Sequence, residues 1–591
     1  MIEYNVVDFM EVYMFKLFKN ITKKELLFLI IAITFVVIQV RLDLRLPEYM
    51  SNITRLVQTE GTVKDIMNLG LKMLGIAFLS LGTSIIVGFF ATYLASHFGE
   101  KTRGKIYRKV FEFSESEIKE FSVPSLITRT TNDVGQIQML ISFGLQALIK
   151  APIMATMAII KIAGKNFSFS LITLIAVVIL LVLIITIVSI VIPKFKIVQK
   201  LTDNLNRITR ENLTGIRVIR AFNAENFQNK KFDDANNLLT NTQLFNQKVL
   251  GIIGPVMTLV TSSLTLAIYF VGAILINEAG LLDKITIFSD MVVFSSYAMQ
   301  VIISFMMLVM IFLIYPRASV SAKRILEVLE KKVTIKSGKI TKTDNLGTIE
   351  FKNVSFKYPD AEESLIHDVS FKINKGETVA FIGGTGSGKS TLVNLIPRFY
   401  DVTDGSVLVD NIDVRDYKLE CLYDKIGYVP QRAVMFSKSV KDNISYGDKK
   451  IEDSKIDDAL RVSQSLDFVS KMEQGKDSLI ARGGTNVSGG QKQRLSIARA
   501  IAKSPEFYIF DDTFSALDNE TDLRLRRELK KYTKDATTII VASRIGTIIN
   551  ADKIIVLDSG KVVGIGTHSE LLKKCRVYKE IAKSQLSEEE L

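Results

Sequence analysis

The residues best suited to chemistry form one run, Gly383-Gly384-Thr385-Gly386-Ser387-Gly388-Lys389-Ser390, followed by Thr391. The run fits G-x-x-x-x-G-K-[ST]. Glycines let a backbone wrap around phosphate oxygens with its N–H groups turned inward. Lys389 is expected to reach the β- and γ-phosphates of a nucleoside triphosphate, and the Ser390 hydroxyl to ligate Mg²⁺. The context is right: the apolar run Val379–Ile382 precedes it, and a helix should open near Lys389 and add its N-terminal dipole. Phe507-Tyr508-Ile509-Phe510-Asp511 reads as a buried strand ending in a carboxylate. Beside a phosphate loop, that is where Mg²⁺ is held.

Val487-Ser488-Gly489-Gly490-Gln491 resembles the signature sequence of ATP-binding cassette (ABC) proteins. A Ser and Gly backbone at a helix start can hold a γ-phosphate from the opposite side. The resemblance therefore implies that one cassette is half a site and that two close around ATP. Further segments resemble the family in order. Tyr358 matches the aromatic that stacks on adenine. Gln431, in Tyr428-Val429-Pro430-Gln431, matches the glutamine that touches Mg²⁺ and senses the membrane domain. Asp518, in Ser515-Ala516-Leu517-Asp518, matches the loop facing the partner cassette.

Two positions depart from the family. Active cassettes carry a glutamate after the Mg²⁺ aspartate to polarise the attacking water; here that position is Asp512. Asp is one methylene shorter, so its carboxylate falls back by ~1.5 Å. A misplacement of about 1 Å can cost on the order of 10²-fold in rate. The switch histidine expected after the strand Thr538–Val541 is replaced by Ser543, which has no imidazole to offer. The site on this phosphate loop is then expected to bind Mg-ATP and hydrolyse it poorly, leaving Asp512, Ser543 and Gln431 as its catalytic positions. Arg482 also stands where related exporters often carry an acid.

These groups need elements to hold them. The chain has 591 residues, 48% of them hydrophobic, and a net charge of +13 from 75 Lys+Arg and 62 Asp+Glu. Mean hydropathy is +0.25, which excludes a disordered or collagen-like chain. Two cysteines and three histidines exclude a disulfide scaffold and a His-rich zinc centre. Apolar runs at about 26–40, 70–97, 141–163, 168–193, 250–276 and 288–315 are long enough to give six membrane spans. The basic surplus lies in the long segments after spans two and four, which places those segments, both termini and the cassette on the cytoplasmic side. Six spans also exclude a soluble nucleic-acid ATPase, so no nucleic-acid partner is expected. After a polar stretch, short β-rich runs alternate with helical ones, the mark of an α/β domain.

The whole chain thus resembles an ABC exporter half-transporter. The fold class implied is an α-helical membrane domain of six transmembrane helices with long cytoplasmic extensions, followed by an α/β P-loop NTPase domain of ABC type. The boundaries read 1–320 for the membrane domain, 321–346 for a linker and 347–591 for the cassette. The resemblance places coupling helices near Val123–Ser125 and Asn223–Phe227. It implies ATP and Mg²⁺ as cofactors, a small hydrophobic substrate, membrane lipid, and a second half-transporter subunit. The altered positions make this chain resemble the degenerate-site subunit of heterodimeric multidrug-type exporters, the partner supplying Glu and His. A homodimer using Asp512 as base, and an ATP-gated regulator that transports nothing, are the alternatives. Arg41, Asp43 and Arg45 follow the first apolar run and line a cavity or mark the outer interface. The sixth span gathers Met291, Met299, Met306, Met307 and Met310 with Phe294, Tyr297, Phe305 and Phe312, a composition that suits adaptable ligand contact or helix packing.

Overall fold

The computed structural model describes residues 13–14, 16–17, 19, 22–59, 61–163, 167–344, 346–448 and 450–587. The expected turn at 164–166 and the Phe312 side chain lie outside the described residues. The chain divides into two compact units, one of 1–111 and 123–331 and the other of 112–122 and 332–591.

Among the described residues the first unit holds six helices long and apolar enough to cross a membrane: α1 (Lys23–Gln58), α2 (Val63–Phe111), α3 (Val123–Ile162), α4 (Phe167–Thr214), α5 (Glu225–Glu278) and α6 (Leu281–Glu330). Thr22 caps α1, and Glu25 returns a bond to its backbone, so both ends of that capping box are made. Far more apolar surface is exposed on these helices than a soluble protein tolerates, as with Leu71, Phe78, Ile85 and Phe89 along α2. The buried stripes are narrow. Val36, Val40 and Leu44 of α1 meet Val87 of α2 and Phe294, Tyr297 and Val301 of α6. The sixth-span residues divide accordingly. Met291, Phe294 and Tyr297 are buried, whereas Met299, Met306 and Met310 are exposed. The helix α6 continues through 321–330, the first part of the expected linker.

Within this unit several charged side chains of α1 and α3 are paired. Lys150 of α3 lies 3.3 Å from Asp43 of α1, whose other oxygen accepts from Ser80 of α2. Lys161 meets Glu48 at 2.6 Å, and Tyr297 donates to the Leu44 carbonyl at 3.0 Å. Leu145–Lys150 is a π turn inside α3, an extra residue that rotates the helix register just where Lys150 meets Asp43. Arg41 and Arg45, by contrast, are exposed.

The second unit is built on two sheets. An antiparallel sheet has the order β2-β1-β4-β5, from β1 (Ile349–Phe356), β2 (Ile366–Ile373), β4 (Asp404–Val409) and β5 (Ile412–Asp413). The larger sheet has the order β10-β9-β3-β8-β7-β6, from β3 (Thr378–Gly383), β6 (Ile426–Val429), β7 (Phe507–Asp511), β8 (Thr537–Val541), β9 (Lys553–Asp558) and β10 (Lys561–Gly566). All its pairings are parallel except that of β9 with β10. Buried on both faces, β3 and β7 read as unbroken apolar runs. Their side chains still alternate between two cores. Val379, Phe381, Phe507 and Ile509 face the antiparallel sheet's core, and Ala380, Ile382, Tyr508 and Phe510 face the helical one.

The short helix Glu115–Phe121 belongs to this second unit. Ser114 caps it, and Glu117 accepts from the Ser114 backbone at 2.7 Å and from Thr334 Oγ1 at 2.7 Å. Lys119 donates to the Tyr400 hydroxyl, which donates to Glu115, each at 2.7 Å. The chain turns at Ser122 with φ 60° and at Asn223 with φ 51°. The short helices Glu115–Phe121 and Ile216–Ala221 therefore precede the positions where the sequence suggested the tips.

Candidate functional site

The central strand β3 delivers its C-terminal end to the glycine loop, and helix α7 (Lys389–Asn394) leaves it. Gly386 and Gly388 have φ of 82° and 93°, values an L side chain rarely adopts. Gly383 is packed: a Cβ there would meet the Leu557 carbonyl oxygen at 2.0 Å and Ser387 Oγ at 2.7 Å. At Gly384 and Gly386 a Cβ would meet nothing within 4 Å. The loop is thus anchored at its base and open on the side where a phosphate would approach.

Lys389 folds back on this loop, its Nζ donating to the carbonyls of Gly383 at 2.9 Å and Gly384 at 2.7 Å. Burial pulls its pKa down, against the attraction of Asp512 and Asp511. Ser390 Oγ donates to Asp511 Oδ1 at 2.7 Å. Burial raises the Asp511 carboxyl above its usual range, with Asp512 adding to the effect and Ser390 opposing it. Tyr358 sits edge-on to Phe356 and Tyr400, its hydroxyl 2.9 Å from Thr391 Oγ1. The Lys119 ammonium lies over the Tyr358 ring, 5.6 Å from its centre.

Asp512 follows β7 in a left-handed conformation, φ 44°. Gln431 Nε2 donates to its Oδ2 at 3.1 Å, and Ser543 Oγ donates to its Oδ1 at 3.3 Å. The three catalytic positions named from sequence therefore form one hydrogen-bonded chain.

The signature segment stands apart. Ser488 caps helix α8 (Gly489–Lys503), accepting from the Gln491 backbone at 3.3 Å while Gln491 Oε1 accepts from Ser488 N–H at 2.8 Å. Val487 is buried, and Gly490 lies close to the Ala516 carbonyl. Asp518 caps the helix Asn519–Tyr532 by accepting from Thr521 N–H at 2.9 Å. Among the described residues, no hydrogen bond joins the side chains of 487–491 or Asp518 to those of 383–391.

Two residues near the site carried no sequence signal of their role. Tyr428 donates to Asn394 at 2.8 Å and to Asp511 at 3.5 Å. Gln585, in the last helix, holds the Ser543 carbonyl at 2.9 Å and the Ile545 N–H at 2.8 Å. The first has a motif neighbour in Gln431; the second has none.

Residues 29–305 match the ABC transporter transmembrane region family, and residues 366–515 match the ABC transporter family. An uncharacterized ABC transporter ATP-binding protein of Mycobacterium tuberculosis (strain ATCC 25618 / H37Rv) is 38% identical over 551 residues, 91% of this chain and 93% of the relative. The chain belongs to the ABC transporter family. It is a multi-pass half-transporter of exporter layout, with a six-helix membrane domain fused to an ATP-binding cassette, and such exporters work as dimers that use ATP to drive export. The uncharacterized ABC transporter ATP-binding protein YfiB of Bacillus subtilis (strain 168) is 34% identical over 521 residues, 88% of this chain and 90% of that one. An ATP-dependent lipid A-core flippase of Syntrophus aciditrophicus is 29% identical over 514 residues, 85% of this chain and 84% of that one. The solved structure of a bacterial Atm1-family ABC exporter with ATP bound shares the fold, with a TM-score of 0.75 at 22% identity over 95% of this chain and 98% of that one.

Proposed function

We propose that this ABC half-transporter is the catalytically weak member of a heterodimeric exporter in the cytoplasmic membrane, moving a hydrophobic or amphipathic substrate outward. The observation that carries the reading is the state of Asp512. Its two carboxylate oxygens are engaged by Gln431 and Ser543, and its side chain is one methylene short of the usual glutamate. The nucleotide would lie on the glycine loop, with Lys389 at its terminal phosphates and Tyr358 beside its base. Ser390 and Asp511 present hard oxygen donors 2.7 Å apart, a set that suits Mg²⁺, with Gln431 as a further ligand. The bound ion supplies charge neutralisation at the β- and γ-phosphates. What the chain's own residues lack is a correctly placed base and an imidazole donor, so the triphosphate is gripped and rarely cut.

The intact capping box at Ser488 leaves the signature helix formed and ready to serve the partner's phosphate loop. The basic residues in the C-terminal parts of α2 and α4 and just beyond them support a cytoplasmic side for the cassette and both termini. The lipid A-core flippase relative and the exposed Met299, Met306 and Met310 support an amphipathic or multidrug-type cargo.

ATPase assays of this chain alone and with the partner that co-purifies test the reading. Slow turnover alone and fast turnover in the pair are expected. Fast turnover by this chain alone, abolished by Asp512→Asn, would establish the homodimeric alternative instead.

A further inference from the structure

Strand β8 ends at Val541, and a short helix opens at Ile545. Ser543 lies in the gap between them. Ala542 N–H still reaches the Phe381 carbonyl, but among the described residues the Ser543 backbone bonds to no other backbone group. Its polar groups must find partners elsewhere. The hydroxyl is nevertheless aimed: Oγ donates to Asp512 Oδ1 at 3.3 Å.

Two side chains hold the segment. Gln585 Nε2 donates to the Ser543 carbonyl at 2.9 Å, and its Oε1 accepts from Ile545 N–H at 2.8 Å. One planar amide thus spans residues 543 and 545, using a donor and an acceptor together. Further on, Arg526 Nη1 donates to the carbonyls of Gly546 at 2.9 Å and Thr547 at 3.0 Å, while Nε and Nη2 grip Asp522. Arg526 secures the far side, so the near side, where Ser543 stands, depends on Gln585. The amide has a firm base. Gln585 ends the helix Arg576–Gln585, whose Tyr578 and Ala582 are fully buried in the same core as Ile545 and Ile548.

We propose that Gln585 is a positioning residue of the nucleotide site, fixing the loop that holds the side chain at 543 against Asp512. It acts through the backbone and touches no nucleotide. This rests on the reading of Asp512 and Ser543 as catalytic positions, and not on which subunit completes the pair.

The test places a thiol in the contact. Ser543→Cys with Cys421→Ser is made in the full-length chain, in detergent and without nucleotide. Labelling by monobromobimane is followed across pH, and peptide mapping reads the label at 543 alone. A neighbouring carboxylate disfavours the thiolate, so this thiol should titrate above the ordinary value of about 8.5. Adding Gln585→Ala should return it to about 8.5 and speed labelling at about pH 8 roughly threefold. Asp512→Asn should do the same with Gln585 in place, and nothing further without it. Lys389 and Asp511 also act on or beside Asp512, but both stay in every variant and cancel in the comparison. A residue that only stabilised the fold would raise labelling at every pH and leave the Asp512 effect intact. Gln585→Met removes both hydrogen bonds and keeps the length of the side chain. It should match Gln585→Ala, and it carries the comparison if the alanine variant fails to assemble. Affinity for a fluorescent ATP analogue should stay within about twofold. A titration curve indifferent to loss of Gln585 would overturn the inference. So would full additivity with Asp512→Asn, or a collapse of ATP affinity. Labelling measures no turnover. Fast hydrolysis by this chain alone would strike the heterodimer reading and leave the inference standing, whereas an unmoved titration curve strikes the inference alone.

Discussion

Ser390 Oγ donates to Asp511 Oδ1 at 2.7 Å, joining positions 121 residues apart. The bond places a hydroxyl from the start of a helix against a carboxylate at the end of a strand. Both sit there because β3 and β7 flank β8 and finish at the same edge of the parallel sheet.

Asp511→Asn should raise the melting temperature of the cassette while removing Mg-dependent ATP binding. Burial holds the folded carboxyl's pKa above 3.8, so the fold disfavours its charged form at neutral pH. A carboxyl raised in the folded state costs stability as pH climbs past the unfolded value. A gain of about 2–4 °C is expected at pH 7. It should shrink on acidification through the raised folded pKa and vanish below the unfolded value of 3.8, where both folded and unfolded carboxyls take up their proton. Calorimetry across pH, with and without Mg-ATP, reads both effects.

Gly383→Ala and Gly384→Ala should fail differently. The first drives a Cβ into the Leu557 carbonyl, whereas the second meets open space. Overpacking costs about 1–3 kcal/mol, so Gly383→Ala should melt earlier. Gly384→Ala should keep the wild-type melting point and lose ATP affinity, because its methyl occupies the phosphate's side of the loop. Thermal scans paired with a nucleotide-binding titration separate the two.

Asp512→Glu combined with Ser543→His should awaken this chain's own site. The longer acid regains ~1.5 Å of reach and the imidazole adds a donor. Positioned acid–base groups contribute on the order of 10²-fold. ATP turnover at the site on this chain's phosphate loop, read by trapping with labelled nucleotide, should rise by about that factor. Neither single change should achieve it.

Lys150→Met should destabilise the membrane unit by on the order of 3 kcal/mol, because it strands Asp43. Asp43→Asn added to it should restore most of the loss, since no isolated charge then remains. A double-mutant cycle of denaturation midpoints in detergent measures the coupling.

Acidification should loosen the C-terminal end of the cassette. His568 Nδ1 lies 2.7 Å from the hydroxyl of the buried Tyr578, whose own pKa burial pushes up to about 12. Burial pulls His568 below 6.5, so the neutral ring is the folded form. The unfolded chain protonates first, and stability present above pH 6.5 is lost as pH falls below it. Hydrogen exchange in 568–585 should accelerate as pH falls below 6.5 in wild type, and His568→Asn should flatten that trend.

The phosphate loop and the strands around it were legible because each is a local pattern: glycines at fixed offsets, then apolar runs of strand length. The spans were legible because lipid demands long apolar helices. What escaped was non-local. Gln585 reaches Ser543 across 42 positions, and Lys150 reaches Asp43 only after a π turn rotates α3. Nothing in the residues of 145–150 announces that turn. Ser122 and Asn223 take positive φ, a conformation usually signalled by glycine, and the short helices Glu115–Phe121 and Ile216–Ala221 end just before them, which no local pattern announced.

The helix Glu115–Phe121 packs with the cassette although the gene writes it more than two hundred residues earlier. Anyone excising the ATPase for soluble biochemistry would cut away that piece. Thr334 would lose its acceptor Glu117, and the Tyr400 hydroxyl would lose both Lys119 and Glu115. A fragment beginning at 332 is therefore an incomplete body, and kinetic constants measured on it describe a different object from the intact transporter.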